Sequence, residues 1–213
     1  DRAAITATVF NGARQPATTL VPPNCGAYVG PAGQRKDLAA ARELLAAAGF
    51  PGGKDFPVLP MLVRNDAAMP KVAEVIQAMW RRELGVKITI EPSEQKTWIE
   101  TQNALRHTLA LRGWTGDFPD PTNFLDGFRT GHGSNAHGWS NAAYDRLLDQ
   151  AADTLDPTAR FALLRQAEAL LLDEAGLAPL YYGARAYLIH PAVRNWEPAP
   201  MGIHRYQLVE LRE

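Results

Sequence analysis

Residues 58–90 read VLPMLVRNDAAMPKVAEVIQAMWRRELGVKITI, and the order of elements in them decides the fold class. Val58 to Val63 is a short apolar run, the pattern of a buried strand. Asn65-Asp66 follows as a helix cap, and Pro70 is tolerated in the first turn, where its missing N–H costs nothing. Val72, Val75, Ile76, Met79 and Trp80 then recur at helical spacing, and Gly85 closes the helix. Val86, Ile88 and Ile90 alternate with Lys87 and Thr89, which predicts a half-buried strand. Strand, helix and strand in this order argue for an α/β sheet with helices on both faces.

Towards the N-terminus, residues 1–11 read as a helix with Ile5 and Val9 on one face, stopped by Asn11-Gly12. Residues 12–36 hold Pro16, Pro22, Pro23, Gly26, Gly30, Pro31 and Gly33, too many breakers for a regular element. Loops of that length are uncommon and often functional. Asp37 can cap a helix carrying Leu38, Ala41, Leu44, Leu45 and Ala48, with Gly49 placed to end it and Pro51 beyond.

Towards the C-terminus, Ser93 is the predicted start of a helix bearing Trp98, Ile99, Gln102 and Leu105. Thr108–Trp114 is predicted as a strand with Leu109 and Leu111 on one face. A loop follows, then a short helix near Asn123–Phe128 and a second loop over residues 130–140. Ser140 can cap a helix through Tyr144, Leu147, Leu148 and Ala151. Asp156-Pro157 is an N-cap with Pro at the first helical position, opening a helix with Leu163, Leu164, Ala167, Leu170 and Leu171. On it, Arg160, Arg165 and Glu168 read as a solvated face. Leu180–Tyr182, Ala186–Ile189 and Tyr206–Leu211 complete the predicted strands.

The chain has 213 residues, 46% hydrophobic and 21% charged, which is a globular composition. Lys and Arg number 22 against 23 Asp and Glu. There is no basic excess for nucleic acid or an anionic membrane surface. No apolar run approaches the roughly 18 residues of a membrane span. Cys25 is the single cysteine, so neither an internal disulfide nor a multi-cysteine metal site is available. The chain opens on Asp1-Arg2-Ala3-Ala4-Ile5, which reads as the middle of a helix, and a fragment of a longer protein is expected.

The most unusual chemistry lies in Arg112-Gly113-Trp114-Thr115-Gly116-Asp117-Phe118-Pro119-Asp120-Pro121. A strand delivers an indole and a carboxylate to one end of the sheet, where α/β proteins bind ligands. Two glycines permit close backbone approach. An ionised Asp117 can accept charge-assisted bonds from an ammonium, and the face of Trp114 can stack on flat or cationic groups. The ordinary reading is a tight loop in which Asp117 caps local backbone and Trp114 fills core.

Other candidates carry less. His132 and His137 sit in a glycine-rich loop without H-E-x-x-H or cysteine support for a metal, and read as exposed loop histidines. Asp117, Asp120 and Asp126 offer carboxylates, but spacing alone does not set two of them across a substrate. Cys25 has no identifiable base. Met79, Trp80 and Trp98 are core by spacing. Tyr181, Tyr182 and Tyr187 either wall a cleft or are ordinary half-buried strand tyrosines.

Several ordered segments resemble one family. Asp1-Arg2 with Ile5 and Val9, then Pro16-Ala17 and Pro22-Pro23, form one; DLAAARELLAAAGF at 37–50 is another. GWTGDFPDPTNFL at 113–125 is the most recognisable. Trp139-Ser140-Asn141 with Tyr144-Asp145 and Leu147-Leu148, Arg160–Glu168, and Ala178-Pro179-Leu180-Tyr181-Tyr182 complete the set. Together they are similar to the oligopeptide- and dipeptide-binding solute-binding proteins of ABC transporters.

That resemblance implies an α/β lobe of the type II periplasmic-binding-protein kind, with a mixed sheet flanked by helices. Residues 1–213 would be one lobe, the C-terminal one, with 190–213 beginning the return towards a missing N-terminal lobe. It implies that Asp117 pairs with the free α-amino group of a short peptide, that Trp114 lines the cavity, and that the backbone around Thr115 and Gly116 pairs with the extended ligand. Arg106, Arg112 and Arg129 are candidates for the peptide carboxylate. The implied partners are the peptide, the other lobe and a membrane permease, with no nucleic acid. No cofactor, metal or catalytic residue is called for. The implied location is periplasmic or extracellular, as a membrane-anchored lipoprotein where the host lacks an outer membrane. Rival readings are a relative that binds an oligosaccharide, nickel chelate, haem or opine, and a hydrolase using Asp117 and Asp120.

Overall fold

A computed structural model describes residues 1–23, 25–199, 202 and 204–212. The helices are α1 (Arg2–Phe10), α2 (Leu38–Ala47), α3 (Met69–Leu84), α4 (Gln95–Asn103), α5 (Thr122–Leu125), α6 (Ala142–Asp153) and α7 (Pro157–Asp173). The strands are β1 (Gln15–Pro16), β2 (Leu59–Arg64), β3 (Ile88–Ser93), β4 (Leu109–Ala110), β5 (Tyr181–Tyr182), β6 (Val193–Arg194) and β7 (Glu210–Leu211).

The 58–90 unit forms as its residues predict. The Asp66 carboxylate accepts from the N–H groups of Ala68 and Met69 at the start of α3, satisfying donors a helix leaves open. Gly85 ends α3 in the left-handed region at φ 72°, and a Cβ there would run into the Gly52 carbonyl. β2 is the centre of a parallel sheet in the order β3–β2–β4. Met61, Val63, Ile88 and Leu111 meet Val72, Ala73, Ile76 and Met79 of α3, with Ile5 of α1, in one core. Leu62, next in the alternation, points to the other face and is buried there.

A second core joins α5, α6 and α7. Phe124, Leu125, Tyr144, Leu148, Leu164, Ala167 and Leu171 pack with Val21, Cys25 and Tyr28 from the long loop at 12–36. That loop runs partly over the surface, with Val29 exposed, and inserts Val21, Cys25 and Tyr28 into this core. Glu168, expected on a solvated face, is fully buried and is the reason. Its carboxylate accepts from Leu20 N and Val21 N at 2.8 Å each and from the Tyr28 hydroxyl at 2.7 Å.

Other expectations change at their edges. The Asp1 carboxylate accepts from Ala4 N at the start of α1. Glu94, not Ser93, caps α4, because Ser93 is still paired in β3; Asn141, not Ser140, caps α6. The strand predicted over 108–114 is short. It pairs only at Leu109–Ala110, and the chain leaves the sheet after Leu111 N donates to Leu62 O. No residue of α2 is buried, and Leu44 is 71% exposed.

Ala186–Ile189 finds no strand partner among the described residues and forms none; Leu188 is fully exposed. Tyr206–Leu211 divides into a 3-10 turn at Tyr206–Leu208 and β7, which pairs antiparallel with β6. β1 pairs antiparallel with β5 across more than 160 residues, a pairing no local pattern announces. Positions 24, 200, 201, 203 and 213 lie outside the described residues, including that part of the expected 190–213 return.

Candidate functional site

From β4 the chain runs through Gly113, Trp114 and Thr115, all exposed, into Gly116, which is buried. Gly116 is needed for space: a Cβ would sit 2.9 Å from the Phe124 ring. Asp117 follows, exposed, and its carboxylate takes no hydrogen bond or ion pair from the described residues. Trp114 and Phe118 on either side are each about half exposed, at 48% and 49%. The local-cap reading of Asp117 and the core reading of Trp114 are therefore both absent from the geometry.

The capping carboxylate of this loop is Asp120. It accepts from Thr122 N at 3.0 Å and Thr122 Oγ1 at 2.7 Å, at the start of α5. Arg160 of α7 donates to both its oxygens at 2.8 Å each, a bidentate pair. Burial works to raise the Asp120 pKa, but the Arg160 and Thr122 bonds outweigh it and hold it at about 2. Asp120 is thus an acceptor with both oxygens committed, unsuited to delivering a proton near neutral pH. Arg160, like Glu168, belongs to the structure rather than to a solvated face.

Asn123 closes the arc. Its Oδ1 accepts from Trp114 Nε1 and its Nδ2 donates to the Phe118 carbonyl, both at 3.2 Å. One side chain thereby ties the residues before and after Asp117. Behind the arc, Gly26 of the long loop packs so that a Cβ would meet the Pro119 carbonyl at 3.3 Å. Cys25 beside it is buried; burial pushes its thiol up to about 11, so it stays protonated.

The three candidate arginines separate. Arg129 is committed to Asp126 at 3.1 Å and Asp149 at 2.6 Å. Arg106 is exposed and borders a hollow of about 260 Å³ with Pro60, Leu62, Glu91, Thr101, His107, Thr108 and Leu109. Arg112 is half-buried and has no ion pair among the described residues; burial lowers its pKa from the free value. His132 is an exposed loop residue as expected, whereas His137 is stacked on Phe128 at 4.1 Å. Burial, then Arg112 and His107, push the His137 pKa down to about 4. Tyr181 packs on Phe10, and the Tyr182 hydroxyl bonds Thr19, both half-buried in β5.

The sequence model described as "Bacterial extracellular solute-binding proteins, family 5 Middle" matches residues 1–136. The chain belongs to this family. Among family 5 relatives, the oligopeptide-binding protein OppA of Bacillus subtilis is 34% identical over 190 residues, 85% of this chain and 35% of that protein. The probable deoxycholate-binding periplasmic protein YgiS of Escherichia coli is 32% identical over 191 residues, again 85% of this chain and 35% of that one. The structure of the Escherichia coli murein tripeptide binding protein MppA superposes with a TM-score of 0.86 at 26% identity, covering 99% of this chain and 43% of that protein. The chain thus spans about a third of the length of the curated relatives it matches. Its α/β architecture is that of these type II periplasmic binding proteins.

Asn123 carries no signal in the sequence beyond its residue type, Asp120 reads there as a candidate acid–base carboxylate, and Arg160 and Glu168 read as a solvated face; in the structure all four brace the arrangement. Asp120-Pro-Thr is a cap pattern visible in the sequence, but its partner lies 40 residues away on α7.

Proposed function

We propose that this chain is the C-terminal lobe of a longer, periplasmic or extracellular binding protein that serves an ABC importer of short peptides. Asp117 receives the peptide's free α-amino group, Trp114 walls the site, and the backbone at Thr115 and Gly116 pairs with the extended ligand. The observation that carries this reading is the exposed Asp117 carboxylate, free of protein partners among the described residues, on an arc tied by Asn123 and Asp120. A carboxylate held in place but unsatisfied is poised for an ammonium. Family membership and the likeness to peptide-binding relatives support the substrate class. The protein does no chemistry: it encloses the ligand between two lobes, closure being favoured by the ligand's preference for the closed form, and the closed form docks on a permease.

The test is calorimetry on the full-length protein with a short peptide and its N-acetylated form. Asp117→Asn should weaken the free-amine peptide by about 2 kcal/mol or more, roughly 30-fold, and leave the acetylated one nearly unchanged. Equal affinity of the unmodified protein for the two peptides would remove the assignment. Native mass spectrometry adds a second check. A ladder of peptide masses supports the reading, while a single apolar mass would favour a ligand of the kind named for YgiS, with the exposed Trp114 and Phe118 faces as its contact.

A further inference from the structure

The Asp117 carboxylate takes no hydrogen bond or ion pair among the described residues, yet a carboxylate gains most from an ammonium when its position is set beforehand. What holds it is a chain of bonds that begins on α7. Arg160 clamps both oxygens of Asp120 at 2.8 Å. Asp120 Oδ1 accepts from the Thr122 N–H and hydroxyl, and its carbonyl accepts from Asn123 N at 3.1 Å. Asp120 therefore fixes the first turn of α5 and with it the backbone of Asn123. The Asn123 amide then spans the arc, accepting from Trp114 Nε1 and donating to Phe118 O. Its two bonds use the two chemically different ends of the amide, so a flipped amide would lose both. Phe124, the next residue of α5, fills the space beneath Gly116.

We infer that Arg160 and Asn123 are positioning residues for the amine-binding carboxylate, acting through Asp120 and through the residues that flank Asp117. Neither is assigned to ligand contact. The inference rests on the proposed role of Asp117, and its test separates the two.

Three variants of the full-length protein are compared with the unmodified one: Arg160→Gln, Asn123→Ala and Asp117→Asn. Each is titrated with a free-amine tripeptide and its N-acetylated form, and the exchange of the Trp114 indole N–H with solvent deuterium is followed by NMR without ligand. Arg160→Gln and Asn123→Ala should each weaken the free-amine peptide about tenfold while changing the acetylated peptide less than twofold. Both should speed indole exchange at Trp114 severalfold. Arg160→Lys, which keeps the charge but not the bidentate fork, should fall between. It also serves if Arg160→Gln does not fold.

Equal weakening of both peptides would show a merely structural role and overturn the inference, as would unchanged binding of both. Should Asp117→Asn prove silent, the amine role of Asp117 falls, and the positioning relay is then judged by indole exchange alone. Unchanged exchange in Arg160→Gln and Asn123→Ala would overturn the relay in that case too.

Discussion

Glu168 shows how much one side chain can decide. Its carboxylate is fully buried on α7 and accepts two backbone N–H groups and the Tyr28 hydroxyl, so it gathers the long loop onto the second core. Truncation would leave those donors unpaired in the interior. Glu168→Ala is expected to cost about 3 kcal/mol or more in urea unfolding, and Glu168→Gln clearly less, since an amide oxygen still accepts from Leu20 and Val21. Burial raises the Glu168 pKa above 4.5 despite the bonds that oppose it. The native state therefore holds this proton more tightly than the unfolded chain, and Glu168 adds stability as pH falls from its raised native pKa towards 4.5.

His137 has the opposite sign. Its native pKa is held at about 4, below the free value of 6.5, by burial and by the charges of Arg112 and His107. The unfolded chain takes up the proton first, so the stability due to a neutral His137 is full above pH 6.5 and is lost as pH falls towards 4. His137→Phe, which keeps the stack on Phe128, should shrink the fall in melting temperature between pH 7 and pH 5. An equal fall in both proteins would contradict this. Asp120, held at about 2, loses its contribution only between pH 3.8 and 2 and does not confuse that window.

At the scale of elements, helix ends carry the expectations. Asp156 caps α7 by accepting from Ala159 N at 2.8 Å, and Pro157 occupies the first turn. Asp156→Ala should cost about 1 kcal/mol, read as a shift in the urea midpoint without a change in slope. Gly85 is more demanding, because it needs both a positive φ and room for the Gly52 carbonyl. Gly85→Ala should therefore exceed the roughly 1 kcal/mol that a left-handed residue alone costs. A loss no larger than that would mean the 3-10 turn at Pro51–Gly53 yields freely. α7 matters twice: Leu164 and Leu171 are core, while Arg160 and Glu168 brace two different loops from the same helix.

Across the whole molecule, the parallel sheet with α1 and α3 makes one core and α5–α7 with the long loop makes the other. Arg2 fastens them, donating to the Pro179 carbonyl at 2.6 Å and to Gln34, whose amide in turn reaches the carbonyls of Leu172 and Leu177. Residues 183–190 run exposed beyond β5, with no strand pairing. Trypsin acting on the folded 213-residue chain is expected to cut first at Arg185; a first cut at Arg165 or Arg160 would show that α7 opens more readily than this packing allows.

The α/β class, the strand–helix–strand at 58–90, the principal helices and the place of Trp114 and Asp117 are all legible in the chain's local pattern. Each of these depends on local periodicity, capping or composition, which neighbouring residues encode. Long-range packing is what makes Asp120 rather than Asp117 cap the loop, turns Arg160 and Glu168 into braces, brings β1 to β5, and leaves Ala186–Ile189 unpaired among the described residues. The bonded ones among these turn on partners 40 to 167 residues away. A carboxylate reads the same in sequence whether an arginine on a distant helix satisfies it or leaves it open, and here that difference separates Asp120, clamped by Arg160, from Asp117, whose carboxylate takes no hydrogen bond or ion pair among the described residues.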